Sequence, residues 1–215
     1  MIFDVNQYGL FVFDLDGTLL DTKQRIISCL WEAIASQGLE PPSPGEVENI
    51  RIGPPVREII KKLISYRDEK VIENVESSFR RYYDEDPFHG VNIYPGCLDF
   101  LKFLRKKEIK LAVATNKPKC VAGKLLQHYF DGYFYRAYSP DSFPDQILPK
   151  SKILELLMKE SLSVAAMMVG DTISDGEAAR KNNIDFLFFE SGYEINKVNV
   201  KKEATYSFNS YSQLL

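Results

Sequence analysis

Cysteine is scarce and shows no pairing pattern. Cys29, Cys97 and Cys120 are odd in number, scattered and never in a Cys-x-x-Cys, which excludes a disulfide framework and reads as a reducing compartment. Histidine is scarcer still: His89 and His128 lie far apart, leaving little support for a zinc site or a serine–histidine triad. Basic excess is absent too. With 27 Lys and Arg against 30 Asp and Glu the net charge is −3, so neither a nucleic-acid backbone nor an anionic membrane is the default partner. No apolar run reaches the roughly 18 residues of a membrane helix. The N-terminus lacks a charged segment followed by a cleavable apolar stretch, and the expected location is the cytoplasm.

What is present is the composition of an ordinary globular chain: 215 residues, 45% hydrophobic and 27% charged. A chain of this length buries about 70% of its unfolded surface and needs no metal or disulfide to fold. Apolar runs of strand length alternate with amphipathic segments of helix length. Gly9 to Asp14, Ile109 to Thr115, Ala165 to Gly170, Ile184 to Phe189 and Ala204 to Phe208 read as buried strands. Pro118 to Tyr129, Ser151 to Glu160 and Asp175 to Asn182 read as the helices between the later ones. The alternation predicts an α/β fold, a doubly wound parallel sheet with right-handed crossovers.

Residues 21–89 break this rhythm. Ile26, Leu30 and Ile34 recur at spacings of four, and Val71, Ile72, Val75, Phe79 and Tyr82 mark a second helix that Asp68 can cap. The run Pro41-Pro42-Ser43-Pro44-Gly45 ends the first helix. The expected organisation is a core of residues 1–20 and 90–215 with a small all-helical domain, 21–89, inserted after the first strand. Tyr133 to Leu148 fits neither pattern and reads as an irregular loop near the mouth of the site or a short edge element.

In open α/β sheets ligands bind beyond the C-terminal ends of the strands, so the residues that follow each strand matter most. Here they are Asp14-Leu15-Asp16-Gly17-Thr18, Thr115-Asn116 and Gly170-Asp171-Thr172-Ile173-Ser174-Asp175, with Lys150 opening the helix before the third of these strands. Four gathered carboxylates repel one another. A hard divalent cation with oxygen ligands relieves that repulsion, and Mg²⁺ suits carboxylates better than zinc does. Asp14 and Asp16, two residues apart at a strand end, can face the same side and divide the work of nucleophile and acid–base.

Taken singly, each motif has a plain structural reading: a turn at Asp14–Thr18, a helix cap at Asp175, a β-branched strand residue at Thr115. Together and in order they resemble a known family. Phe11-Val12-Phe13-Asp14-Leu15-Asp16-Gly17-Thr18-Leu19 is similar to the first signature of the haloacid dehalogenase superfamily of aspartate-nucleophile phosphohydrolases. Val113-Ala114-Thr115-Asn116-Lys117-Pro118 resembles the second signature, Lys150 the third, and Val169-Gly170-Asp171 with Asp175 the fourth. Ile93-Tyr94-Pro95-Gly96-Cys97 and Ile52-Gly53-Pro54 point to the phosphoglycolate-phosphatase-like branch.

The resemblance implies a Rossmann-like core with a helical cap, and a Mg²⁺-dependent phosphomonoester hydrolase that works through an aspartyl-phosphate. Asp14 would be the nucleophile and Asp16 the acid, then the base. Thr18, Thr115, Asn116 and Lys150 would contact the phosphate, with Lys152 and Lys117 as alternatives to Lys150. Asp14, Asp16 (through its main-chain carbonyl), Asp171 and Asp175 would hold or adjoin the metal. The loop with Arg51, Gly53 and Arg57 is a specificity element by family position. A small phosphorylated metabolite such as phosphoglycolate is the expected substrate, and a monomer or homodimer the expected state. The alternatives are a sugar-phosphate phosphotransferase of the phosphoglucomutase type, a pyrophosphatase and a nucleotidase. Thr18 favours hydrolysis over transfer, since relatives that transfer phosphate often carry valine there. Dehalogenation is disfavoured because Asp16 is present. A receiver-like signalling or binding module ranks low: such modules are shorter and lack a helical insert.

Overall fold

The computed structural model describes residues 3–43, 45–46, 50, 52–64, 68–163 and 165–215. Pro44 and Arg51 lie outside the described residues. The chain divides into two compact units, residues 1–21 with 92–215, and residues 22–91.

The first unit is built on a six-stranded parallel sheet. Its strands are β1 (Leu10–Phe13), β4 (Lys110–Ala114), β5 (Arg136–Tyr138), β6 (Ala166–Gly170), β7 (Asp185–Phe189) and β8 (Tyr206–Phe208), in the spatial order β5-β4-β1-β6-β7-β8. The chain therefore runs outward from β1 in both directions, the doubly wound topology expected from the alternating pattern. Strands β2 (Leu20–Asp21) and β3 (Asn92–Ile93) form a separate antiparallel ribbon, with Leu20 opposite Ile93 and Asp21 opposite Asn92. The long apolar runs became strands within a residue or two of their expected limits. Part of the unplaced stretch 133–148 is the edge strand β5, three residues long and half solvent-facing.

Because side chains alternate across a strand, each face of the sheet builds its own core. Leu10, Val12, Ala112, Ala114, Met168, Phe186 and Phe188 share one cluster with Ile153, Leu154 and Leu157 of the helix Lys150–Ser161 and with Ala178 and Ala179 of the helix Ile173–Lys181. The other face is aromatic. Phe100, from the helix Cys97–Lys106, meets Phe11 edge-on with ring centroids 6.1 Å apart, Phe13 at 6.4 Å and Tyr211 at 5.8 Å.

In chain order the helices named here are α1 (Lys23–Ser36), α2 (Val56–Leu63), α3 (Glu69–Glu85), α4 (Cys97–Lys106), α5 (Lys119–Phe130), α6 (Lys150–Ser161), α7 (Ile173–Lys181) and α8 (Lys197–Glu203). The second unit holds α1 to α3. Ile26, Leu30 and Ile34 of α1 are buried as a stripe, and Asp68 caps α3 by accepting the Lys70 N–H at 2.8 Å. The α3 stripe needs one correction: Ile72, Val75, Phe79 and Tyr83 are buried, whereas Val71 and Tyr82 are half-buried. The Arg25 guanidinium lies over the buried Tyr83 ring, 5.7 Å from its centroid. Arg57 is taken up by Glu76 at 2.9 Å and by Glu69, an ion-pair network between α2 and α3. Among the described residues no helix is long and apolar enough to cross a membrane.

Truncating the centre of the aromatic face tests this account of the core. Phe100→Ala is expected to lower unfolding stability by about 3–5 kcal/mol, read as a fall in urea midpoint with an unchanged m-value.

Candidate active site

The sheet register brings the candidate residues to one level. Phe13 stands opposite both Val113 and Val169, so Asp14, just past β1, aligns with the ends of β4 and β6, with Thr115 and Asp171 one residue further on. The Asp14 N–H continues the ladder to the Val169 carbonyl at 2.9 Å, and the Thr115 N–H to that of Tyr138 at 3.1 Å. This is the point where the strand order reverses, where a crevice opens in doubly wound sheets.

Asp14, Asp171 and Asp175 meet there. Each is buried, and each places a carboxylate oxygen within 4.8 Å of the others'. Lys150, the first residue of α6, points its ammonium between two of them, 2.9 Å from Asp14 Oδ1 and 2.6 Å from Asp175 Oδ1. Asp175 is the third residue of α7. Its Oδ2 accepts the Thr172 N–H at 3.0 Å and the Thr172 hydroxyl at 2.7 Å, so the helix cap expected at Asp175 is Thr172 instead, in a reciprocal capping box. Asp171 accepts the Thr18 hydroxyl at 3.0 Å and the Tyr193 N–H at 2.6 Å, one on each oxygen.

Thr18, expected as a phosphate contact, is fully buried with its hydroxyl directed at Asp171. The tight turn that brings it there depends on Gly17, at φ +82°, where a Cβ would lie 2.3 Å from Asp171 Oδ2. Asp16 stands apart from the buried trio. Its carboxylate pairs with Lys117 at 3.1 Å and is 16% exposed, the most open of the four. Thr115 is buried and accepts the Lys117 N–H at 3.1 Å, while Asn116 faces solvent. Of the three lysines considered, Lys152 is spent on Glu155 at the surface of α6, 2.8 Å away, and Lys150 is the one that enters the carboxylate group. His89 is exposed, and His128 lies on α5 against Tyr129.

The electrostatics follow from burial. Desolvation pushes the Asp14 carboxyl up to about 7, Lys150 opposing the rise and Asp175 and Asp16 adding to it. Burial, then the charges of Asp14 and Asp175, hold Asp171 well above the usual carboxylate range. Burial disfavours the Lys150 ammonium, yet Asp14 and Asp175 outweigh it and keep the charge in place. With all three carboxyls ionised, the form a bound cation favours, three carboxylates against the one Lys150 ammonium leave a formal charge of −2 among these residues. An oxygen-only donor set with a deficit of two charges fits a hard divalent cation.

Sequence reasoning missed the loop after β7. Gly192 and Tyr193 both touch Asp171, and Glu194 is buried beside α7. The rule about strand ends, applied once more at Phe189, leads straight to them.

Residues 11–189 match the family of haloacid dehalogenase-like hydrolases. The chain belongs to that family. Among its relatives are a phosphoglycolate phosphatase of Aquifex aeolicus, 34% identical over 176 residues and 80% of each chain, and one of Agrobacterium fabrum, 31% identical over 190 residues covering 86% of this chain and 81% of the relative. A haloacid dehalogenase-like hydrolase of Streptococcus pneumoniae superposes with a TM-score of 0.83 over 97% of both chains at 20% identity, a likeness of fold.

The raised carboxyls of this hydrolase make a signed prediction. Asp14 and Asp171 bind protons more tightly folded than unfolded, so their contribution is largest at low pH; that of Asp14 is lost as pH climbs from the ordinary carboxylate range through about 7, and that of Asp171 has the same sign. The melting temperature of the metal-free protein is expected to fall between about pH 5.5 and pH 8, and a divalent cation to stabilise more at the upper end.

Proposed function

We propose that this hydrolase is a Mg²⁺-dependent phosphomonoesterase that acts on a small phosphorylated metabolite, with phosphoglycolate as the first substrate, through an aspartyl-phosphate on Asp14. The observation that carries the reading is the buried Lys150 ammonium between Asp14 and Asp175, in a carboxylate group still two charges short of neutrality. A dianionic ester entering such a site needs cations on both sides of it. Asp14, the main-chain carbonyl of Asp16 and Asp171 would hold Mg²⁺, with Asp175 adjoining; when bound, the ion neutralises charge and polarises the phosphoryl oxygens.

The chain's own residues carry the remaining steps. An Asp14 oxygen attacks phosphorus in line, and the bond from phosphorus to the ester oxygen breaks. Asp16 gives a proton to the departing oxygen, then takes one from the water that attacks phosphorus, releasing inorganic phosphate and regenerating the Asp14 carboxylate. Two features support this division. Asp14 is 6% exposed while Asp171 and Asp175 are sealed, so of the three it is the one substrate can reach. Asp16, more open and held by Lys117, stands at the rim of the buried trio and is suited to proton traffic. Thr115, Asn116 and Lys150 are the groups for the phosphoryl oxygens, and Thr18 acts by orienting Asp171. The helical unit, residues 22–91, is inserted where the family resemblance implies a cap, and such a cap would admit small esters and refuse bulky ones. Two relatives that carry the name phosphoglycolate phosphatase favour that substrate.

Phosphate release from phosphoglycolate, a hexose phosphate and a nucleoside monophosphate, with and without Mg²⁺, tests the reading. Phosphoglycolate is expected to lead, release to require the metal, and Asp14→Asn to lose about 10³-fold or more in kcat. Undiminished release by Asp14→Asn refutes the nucleophile, and a lead for the nucleotide moves the substrate class.

A further inference from the structure

Past β7 the chain turns back across the ends of β6 and β1, and three consecutive residues meet Asp171 and the first residue of α7. Gly192 passes so close that a Cβ there would lie 2.2 Å from Asp171 Cβ and 2.5 Å from the Gly17 carbonyl oxygen. The Tyr193 N–H donates to Asp171 Oδ2 at 2.6 Å. Glu194, 5% exposed, accepts the Ile173 N–H at 3.3 Å with one oxygen and the Asn196 N–H at 3.2 Å with the other. The Tyr193 ring lies against Gly17, and its hydroxyl donates to Asp21 Oδ1 at 3.0 Å, on the ribbon strand β2.

We propose that Gly192-Tyr193-Glu194 is a clamp that fixes the Asp171 carboxylate for cation binding, with Tyr193 a positioning residue anchored through its hydroxyl to Asp21. The proposal rests on the reading of Asp171 as a metal ligand. A carboxylate bonded on both oxygens, to Thr18 on one and to a peptide N–H on the other, cannot rotate, and a ligand already oriented gives up less freedom when the ion arrives. A peptide N–H belongs to every residue but proline, so the specific information lies in where the loop runs. Two features set that course: the missing Cβ at 192 and the phenol anchor at 193. Gly192→Ala has backbone on one side and Asp171 on the other, and it must displace the carboxylate. Tyr193→Phe removes a single oxygen atom and leaves the fold a full ring to pack.

The test is calorimetric titration of the substrate-free protein with Mg²⁺, alongside melting of the metal-free protein. Gly192→Ala is expected to raise the Mg²⁺ Kd by about tenfold or more, and Tyr193→Phe by at least about threefold, while Tyr193→Phe melts close to the wild type. An unchanged Kd in Tyr193→Phe overturns the clamp, whether or not Gly192→Ala folds. So does a lower melting temperature with unchanged Kd, which is the mark of a merely structural residue. Wild type that fails to bind Mg²⁺ removes the metal reading and the clamp with it, whereas wild type that binds beside an unaffected Tyr193→Phe removes the clamp alone.

Discussion

Asp14, Asp171 and Asp175 repel one another across a few ångströms, buried where little water is at hand to screen them. Much of the first unit answers to that repulsion. The parallel register delivers the strand ends to one level, and α6 begins where its first side chain, Lys150, can reach two of the acids. Thr18, Thr172 and the Tyr193 peptide supply the remaining donors. These bonds orient the carboxylates without neutralising them. The two apolar cores on either face of the sheet offset the cost, which is how a fold tolerates a locally unfavourable site.

The parts legible from the sequence were those whose signal is carried by side-chain type. β1, β4, β6 and β7 are legible as apolar runs, because a strand buried on both faces has no polar period to confuse the reading. Asp14, Asp16, Asp171 and Asp175 stood out because no core has a use for so many acids at strand ends. The helical insert showed through its spacing alone. Tyr82 and Tyr83 show the limit of that spacing: both lie about a turn from Phe79, and it is Tyr83, under the Arg25 guanidinium, that is inside.

Other features left little or no trace in one dimension. β2 and β3 are two residues each, too short for a period. β5 is three residues at the sheet edge, with its side chains mostly in water. Lys150 and Lys152 are two residues apart at a helix start, hence on nearly opposite faces, and composition does not separate them. The Gly192–Tyr193 contact is made by a main-chain N–H and by an absent Cβ, neither of which has a residue-type signature.

The ribbon of β2 and β3 bears on how such a chain is assembled. Asp21 and Asn92 are cross-strand partners, about 5 Å apart as any such pair is, so seventy residues leave and return through a single doorway. To the parallel sheet, the whole excursion is one hairpin turn. Lengthening it, trimming it or grafting another module there leaves the strand register, and the acids it aligns, as they were. A lineage built this way can vary the inserted module and the acid-bearing sheet as separate inheritances.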